Sequence, residues 1–230
     1  MATRFYFDPT LGAPFTPGFA AWTRTTEGVR RALLRSKVGT AMSSLTAWAN
    51  TSPAANASAL VAQFSGPPMM PGIAFATTDT IKCQIRCLES NANDNVNRQP
   101  LCLKVYAKDG TTLQATLKAL GHYGPATTEW DATNLTNRTL ADGDVLDANY
   151  TTVFGDFLVL EVGGQVSSAG GSTVTGSMSF GSNSATDLGE NETDTSAFNP
   201  WFEISRNIQF VDDFFVGTRR RDLMHELLAR

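Results

Sequence analysis

The chain has little of what most enzyme chemistry requires. Only two histidines occur in 230 residues, His122 and His225, and neither has another histidine, a cysteine or a carboxylate at metal-ligand spacing. That argues against a zinc site and against a histidine-activated nucleophile. The motifs HExxH and GxSxG are missing, as are a phosphate-binding GxxxxGK and a GxGxxG between strand and helix. Carboxylates such as Glu89, Glu129, Asp131 and Glu161 are present, but no spacing selects two that would face one cleft in the manner of a glycosidase. The sequence therefore reads as non-enzymatic and without a cofactor.

Charge is scarce too. Charged residues make up 17% of the chain and the net charge is −4, whereas phosphate neutralisation needs clustered Lys and Arg, so nucleic acid is not an expected partner. No window approaches the roughly 18 apolar residues of a membrane span. No basic n-region followed by an apolar run opens the chain, so the expectation is synthesis in a cytoplasm without export.

The three cysteines are Cys83, Cys87 and Cys102. In TDTIKCQIRC, Ile81, Cys83, Ile85 and Cys87 alternate with polar residues, which puts both thiols on the apolar face of a strand. Four strand residues separate them by about 13 Å, beyond disulfide reach. In LCLKVYAK the apolar set turns Cys102 to the other face. Three buried free thiols are expected.

What the chain does have is period-two alternation between clusters of turn residues. Ala59 to Phe64, Thr80 to Cys87 and Leu101 to Lys108 read as strands. Asp109-Gly110 marks a hairpin whose returning strand points Leu113, Ala115, Leu117 and Ala119 inward. Phe157 to Val166 places Leu158, Leu160 and Val162 inward with Glu161 outward, and Val174, Met178 and Phe180 follow on a second hairpin. Trp201 to Phe210 closes the set with Phe202, Ile204, Ile208 and Phe210 on one face. Eight to ten such strands with little helix predict an all-β fold, a two-sheet β-sandwich of jelly-roll type. Three segments follow. Residues 1–40 form an N-terminal arm and first strand, since Pro9, Pro14 and Pro17 with Gly12 and Gly18 exclude regular structure. EGVRRALLRSK within it fits either a short helix or a strand. Residues 41–210 form the sandwich, and 211–230 an amphipathic tail with a short helix.

Three groups of residues are candidates for contact with other molecules. The loop FGSNSATDLGENETDTSAFNP carries Asp187, Glu190, Glu192 and Asp194, which could supply oxygens to calcium, although the spacing is not that of a calcium loop. A solvated connection between strands is the plain alternative, and no metal is expected. Trp130 in TEWD and Trp201 in NPWFE have polar neighbours and could stack on a sugar, although tryptophans of a sandwich also serve as packing. In the tail, Arg219, Arg220 and Arg221 precede Leu223, Leu227 and Leu228 on a helical stripe, which suits docking on the chain's own sandwich or on a neighbouring subunit.

The opening MATRFYF with its proline-rich continuation resembles a group of tailed-bacteriophage virion structural proteins. So do the segments KCQIRCLESNANDNVNRQ, DGTTLQATLKALGHYG and VLEVGGQVSSAGGSTVTGSMSFGSNSATDLGENETDTSAFNPWFEIS. The resemblance covers residues 1 to about 210 and leaves out the tail. It implies a virion location after assembly in the host cytoplasm, and a role as capsid decoration or cement protein or tail accessory subunit. Other virion proteins would be its partners, held by the N-terminal arm and the C-terminal helix, within a homo-oligomer. It carries over no site residue. The alternative expectation is a receptor- or carbohydrate-binding module at a tail or fibre tip, with Trp130, Trp201 and the acidic loop meeting a host surface glycan.

Overall fold

The computed structural model describes residues 1–212 apart from 38, 40, 42, 47–49, 52–53, 93, 125–128 and 167–172. The described strands are β1 (Thr3–Gly12), β2 (Val29–Leu34), β3 (Ser43–Thr46), β4 (Asn50–Thr51), β5 (Ser58–Pro68), β6 (Ala74–Phe75), β7 (Thr80–Glu89) and β8 (Val96–Arg98). They continue as β9 (Leu101–Tyr106), β10 (Leu113–Gly121), β11 (Thr136–Val145), β12 (Tyr150–Thr151), β13 (Phe157–Val166), β14 (Thr173–Val174), β15 (Gly176–Phe180) and β16 (Trp201–Ile204). The protein is all-β, as the alternation predicts.

One hydrogen-bonded network of 12 strands runs in the order β10-β9-β13-β5-β2-β1-β16-β7-β15-β3, with β11 added to β7 and β8 to β13. Two small pairs, β12-β6 and β14-β4, lie outside it. All pairings are antiparallel except β2 with β5. The large sheet is open and curled, and its inner faces pack on one another as in a generic β-sandwich. Three rings cross that core: Phe7 of β1 lies 4.8 Å from Phe64 of β5 and 5.4 Å from Phe180 of β15, and Phe64 lies 5.0 Å from Phe180. Such pairs contribute about 0.5–1.5 kcal/mol each beyond the area they bury.

The two strands at the ends of the curl, β10 and β11, approach each other. Asp147 N, just past β11, donates to Leu117 O of β10 at 2.7 Å, and Tyr123 bridges Ala141 of β11. Asp147 also accepts Lys118 Nζ at 2.9 Å and Ala119 N at 2.8 Å through its carboxylate.

The first strand expected in the N-terminal segment is present and extends into the proline-rich stretch read as an arm. Residues 3–12 form a central strand paired with β16 on one side and β2 on the other. Pro9 is tolerated because it falls where the register slips between Phe7 and Gly12, so no ladder hydrogen bond is lost. Asp8 Oδ1 instead accepts Thr10 N and Leu11 N, and Arg31 Nε donates to Pro9 O. EGVRRALLRSK resolves as strand β2, held by its parallel pairing with β5.

Two facing expectations also change. On β10 only Leu117 is fully buried, while Leu113 is 50% exposed, because the pairing with β9 slips three times and reverses the pleat. Glu161, expected outward, is completely buried. The physical reason is the covering described below.

Candidate functional site

The loop from Gly181 to Pro200 joins β15 to β16 and lies against β7 and β11. Its four carboxylates point to different partners. Asp187 Oδ2 accepts Arg4 Nη1 at 3.0 Å and the Tyr6 hydroxyl at 3.2 Å, and Oδ1 pairs with Lys37 at 2.9 Å. Glu190 pairs with Lys82 at 2.8 Å, which raises the Lys82 pKa chiefly through that hydrogen bond. Glu192 Oε1 accepts Thr139 N at 3.2 Å. Asp194 Oδ1 accepts Ser196 N at 2.7 Å, and its bonds from Ser196 hold the carboxyl below the usual carboxylate range. The calcium candidates therefore do not converge, and among the described residues no group of three or more His, Cys, Asp or Glu is placed to hold a metal.

The loop is tied down by side chains of the sheet. Asn137 Nδ2 donates to Gln84 Oε1 at 2.9 Å, to Gly189 O at 2.8 Å and to Asn191 O at 3.0 Å. Arg138 donates to Glu192 O at 2.7 Å and Glu129 O at 2.6 Å, and Arg86 to Thr195 O at 2.7 Å and Leu135 O at 2.9 Å. Asp194 O and Glu192 Oε1 accept the N–H groups of Asn137 and Thr139 on β11. A cavity of about 370 Å³ remains between loop and strand, walled by Asp131, Thr136, Arg138, Glu192, Thr193 and Thr195.

Neither sugar-stacking candidate offers a ring face. Trp130 and Trp201 are each 1% exposed, with Trp201 Nε1 bonded to Leu188 O at 2.7 Å. Trp201 is covered by the Arg4 guanidinium, 3.9 Å from its ring centroid. This corrects the expected role of both residues: they pack the loops onto the sheet. The tail candidates Arg219, Arg220, Arg221, Leu223, Leu227 and Leu228 lie outside the described residues.

A second polar centre, which the alternation concealed, occupies the opposite part of the sheet. Glu161 of β13 stands between Gln63 of β5 and Lys104 of β9, and residues 17–22 pass over all three. Glu161 Oε2 accepts Trp22 Nε1 at 2.6 Å and Ala20 N at 2.9 Å, while Oε1 accepts Gln63 Nε2 at 3.0 Å and Lys104 Nζ at 3.1 Å. The strap in turn presents Gly18 O to Tyr106 Oη at 2.8 Å and to Lys104 Nζ and Gln63 Nε2 at 3.4 Å each. Gly163 is required beneath it: a Cβ there would lie 2.1 Å from Ala59 O and 2.5 Å from the Trp22 ring. The signal in the sequence was Trp22, a large residue in a proline-rich stretch that needed a place to bury.

The three thiols and Glu89 are also buried. Cys83, Cys87 and Cys102 are free and buried, as the alternation predicts, and burial pushes the Cys102 thiol up to about 12. Glu89, 1% exposed at the end of β7, has its carboxyl pushed up to about 8, first by burial and then by Glu129 and Asp94, against the Val96 N–H bond. An apolar groove of about 410 Å³ opens where β2 and β5 part, with Leu11 at its lip and Ser65 and Pro67 in its wall. No family model and no curated protein matches this chain.

Proposed function

We propose that this protein is a non-enzymatic structural subunit of a bacteriophage virion, a capsid decoration or tail accessory protein of jelly-roll type. The segment resemblance over residues 1 to about 210 motivates the reading. One structural observation supports it: six buried polar side chains on the outer faces of the sheet are committed to the protein's own loops, Glu161, Gln63 and Lys104 to the strap and Asn137, Arg138 and Arg86 to the acidic loop. Such anchoring fixes a surface in one shape, which suits a subunit that must present the same face to many neighbours.

In this reading the tail from residue 211 onward, with Arg219 to Arg221 and the leucine stripe, makes the contact to neighbouring virion subunits. The test is density for this chain in intact particles, together with mass spectrometry of purified virions. Presence at stoichiometric copy number is the expected result; absence from mature particles would sink the proposal.

A further inference from the structure

The centre under the strap holds a nucleophile, an electrophile, a proton carrier and a cation, all from one sheet face. We propose that the Lys104 amine and the Gln63 carboxamide become joined by an isopeptide bond, in a reaction the folded chain performs on itself. Lys104 Nζ and Gln63 Nε2 approach the same oxygen, Glu161 Oε1, at 3.1 and 3.0 Å, and both lie 3.4 Å from a second shared oxygen, Gly18 O. Amine and amide are thus bracketed by the same two acceptors. With Nε2 turned toward Glu161, the Gln63 carbonyl oxygen faces Arg30, whose Nε donates to it at 3.2 Å.

Each residue then has a task set by its position. The Glu161 carboxylate, 3.1 Å from Nζ, takes a proton from the Lys104 ammonium. The freed lone pair on Nζ attacks Cδ of Gln63. Negative charge develops on the Gln63 oxygen, where the Arg30 guanidinium is already aimed. Glu161 returns the proton to Nε2 as the Cδ–Nε2 bond breaks. One Nζ–Cδ bond forms, one Cδ–Nε2 bond breaks, and ammonium leaves with the surplus proton. Glu161 ends as it began, and no oxidant or cofactor enters. The strap covers the reacting groups, and both nitrogens are held against one carboxylate oxygen, so no encounter between two solutes is needed.

The observations that carry this inference are independent of the virion reading. Gln63, Lys104 and Glu161 are 0%, 5% and 0% exposed, on three neighbouring strands. Gln63 stands directly opposite Glu161 in the register, while Lys104 reaches Glu161 diagonally from its partner Val159. The product would link β5 to β9 across β13, near the β10 end of the curl.

The experiment is the intact mass of the purified full-length chain under denaturing conditions, followed by peptide mapping. The expected mass is lower than that of the sequence by one ammonia, with the peptide containing Gln63 joined to the peptide containing Lys104. Glu161→Gln, which removes the proton carrier, and Lys104→Arg, which keeps the ion pair, should each restore the full mass. The unlinked mass in the wild-type chain after prolonged incubation at neutral pH, with Gln63 and Lys104 in separate peptides, overturns the proposal. So does an ammonia loss mapped to any other residue. Because the wild-type map decides, a variant that fails to fold leaves the test intact.

Discussion

Arg4 and Trp201 form a stacked pair across the junction of β1 and β16: the guanidinium lies 3.9 Å from the ring centroid, and its nitrogens also reach Glu203 at 2.9 Å and Asp187 at 3.0 Å. One cation therefore fastens the first strand, the last strand and the acidic loop together. Arg4→Ala should lower stability by about 1–2 kcal/mol, since the pairs are partly exposed and each such contact contributes under about 1 kcal/mol. Arg4→Lys should recover only part of this, because an ammonium cannot stack and fork at once. Urea denaturation at low and high salt checks both, and the deficit should shrink in salt.

Asn137 carries the acidic loop more directly. Its amide makes three hydrogen bonds from a fully buried position. Asn137→Ala should cost about 1–3 kcal/mol, chiefly from leaving Gly189 O without its donor, since Gln84 Oε1 keeps Thr139 Oγ1 and Asn191 O keeps Asp194 N. Hydrogen exchange should accelerate over residues 189–195 and at the Asn137 and Thr139 amides, while β5 and β13 remain protected.

Glu89 gives a pH dependence whose sign is opposite to that of most carboxylates. In the folded protein the carboxyl keeps its proton to about 8, against an ordinary 4.5. Between those values the unfolded chain binds fewer protons, so stability falls as pH rises through the window and is level on either side. The fall should be on the order of a few kcal/mol. In Glu89→Gln this part of the pH profile should disappear, as read from denaturation midpoints between pH 4 and 9 (about one unit apart).

Gly163 should admit no side chain. Gly163→Ala places a methyl 2.1 Å from Ala59 O and 2.5 Å from Trp22, so either β13 leaves β5 or the strap lifts. Overpacking of this kind costs about 1–3 kcal/mol. Lifting the strap exposes the Trp22 indole, and a red shift of the fluorescence relative to the parent protein is expected.

The strands themselves were legible because alternation survives where one face is apolar. Cys83, Ile85 and Cys87, and Leu158, Leu160 and Val162, sit in the core as their spacing predicts. The errors share a cause. Reading Glu161 as exposed assumes that the second face of an antiparallel strand meets water, and here both outer faces are covered by loops whose docking depends on residues 54 to 141 positions away. The acidic loop looked like a ligand site for the same reason: four carboxylates in eight positions are visible in the sequence, but Arg4, Lys37, Lys82 and Thr139, which meet or neutralise them, are not visible as partners. Prolines misled in β1 because a bulge, which the pattern does not announce, absorbed Pro9.

The meeting of β10 and β11 has a further consequence for life in a crowded assembly. A strand with open N–H and C=O groups invites another copy to extend the sheet. Here Leu117 O is occupied by Asp147, Ala141 by Tyr123, and the Asn137 and Thr139 amides by the acidic loop. Copies held side by side at high local concentration would find these two margins already taken. At those positions an approaching strand would meet side chains and loop atoms in place of open backbone groups.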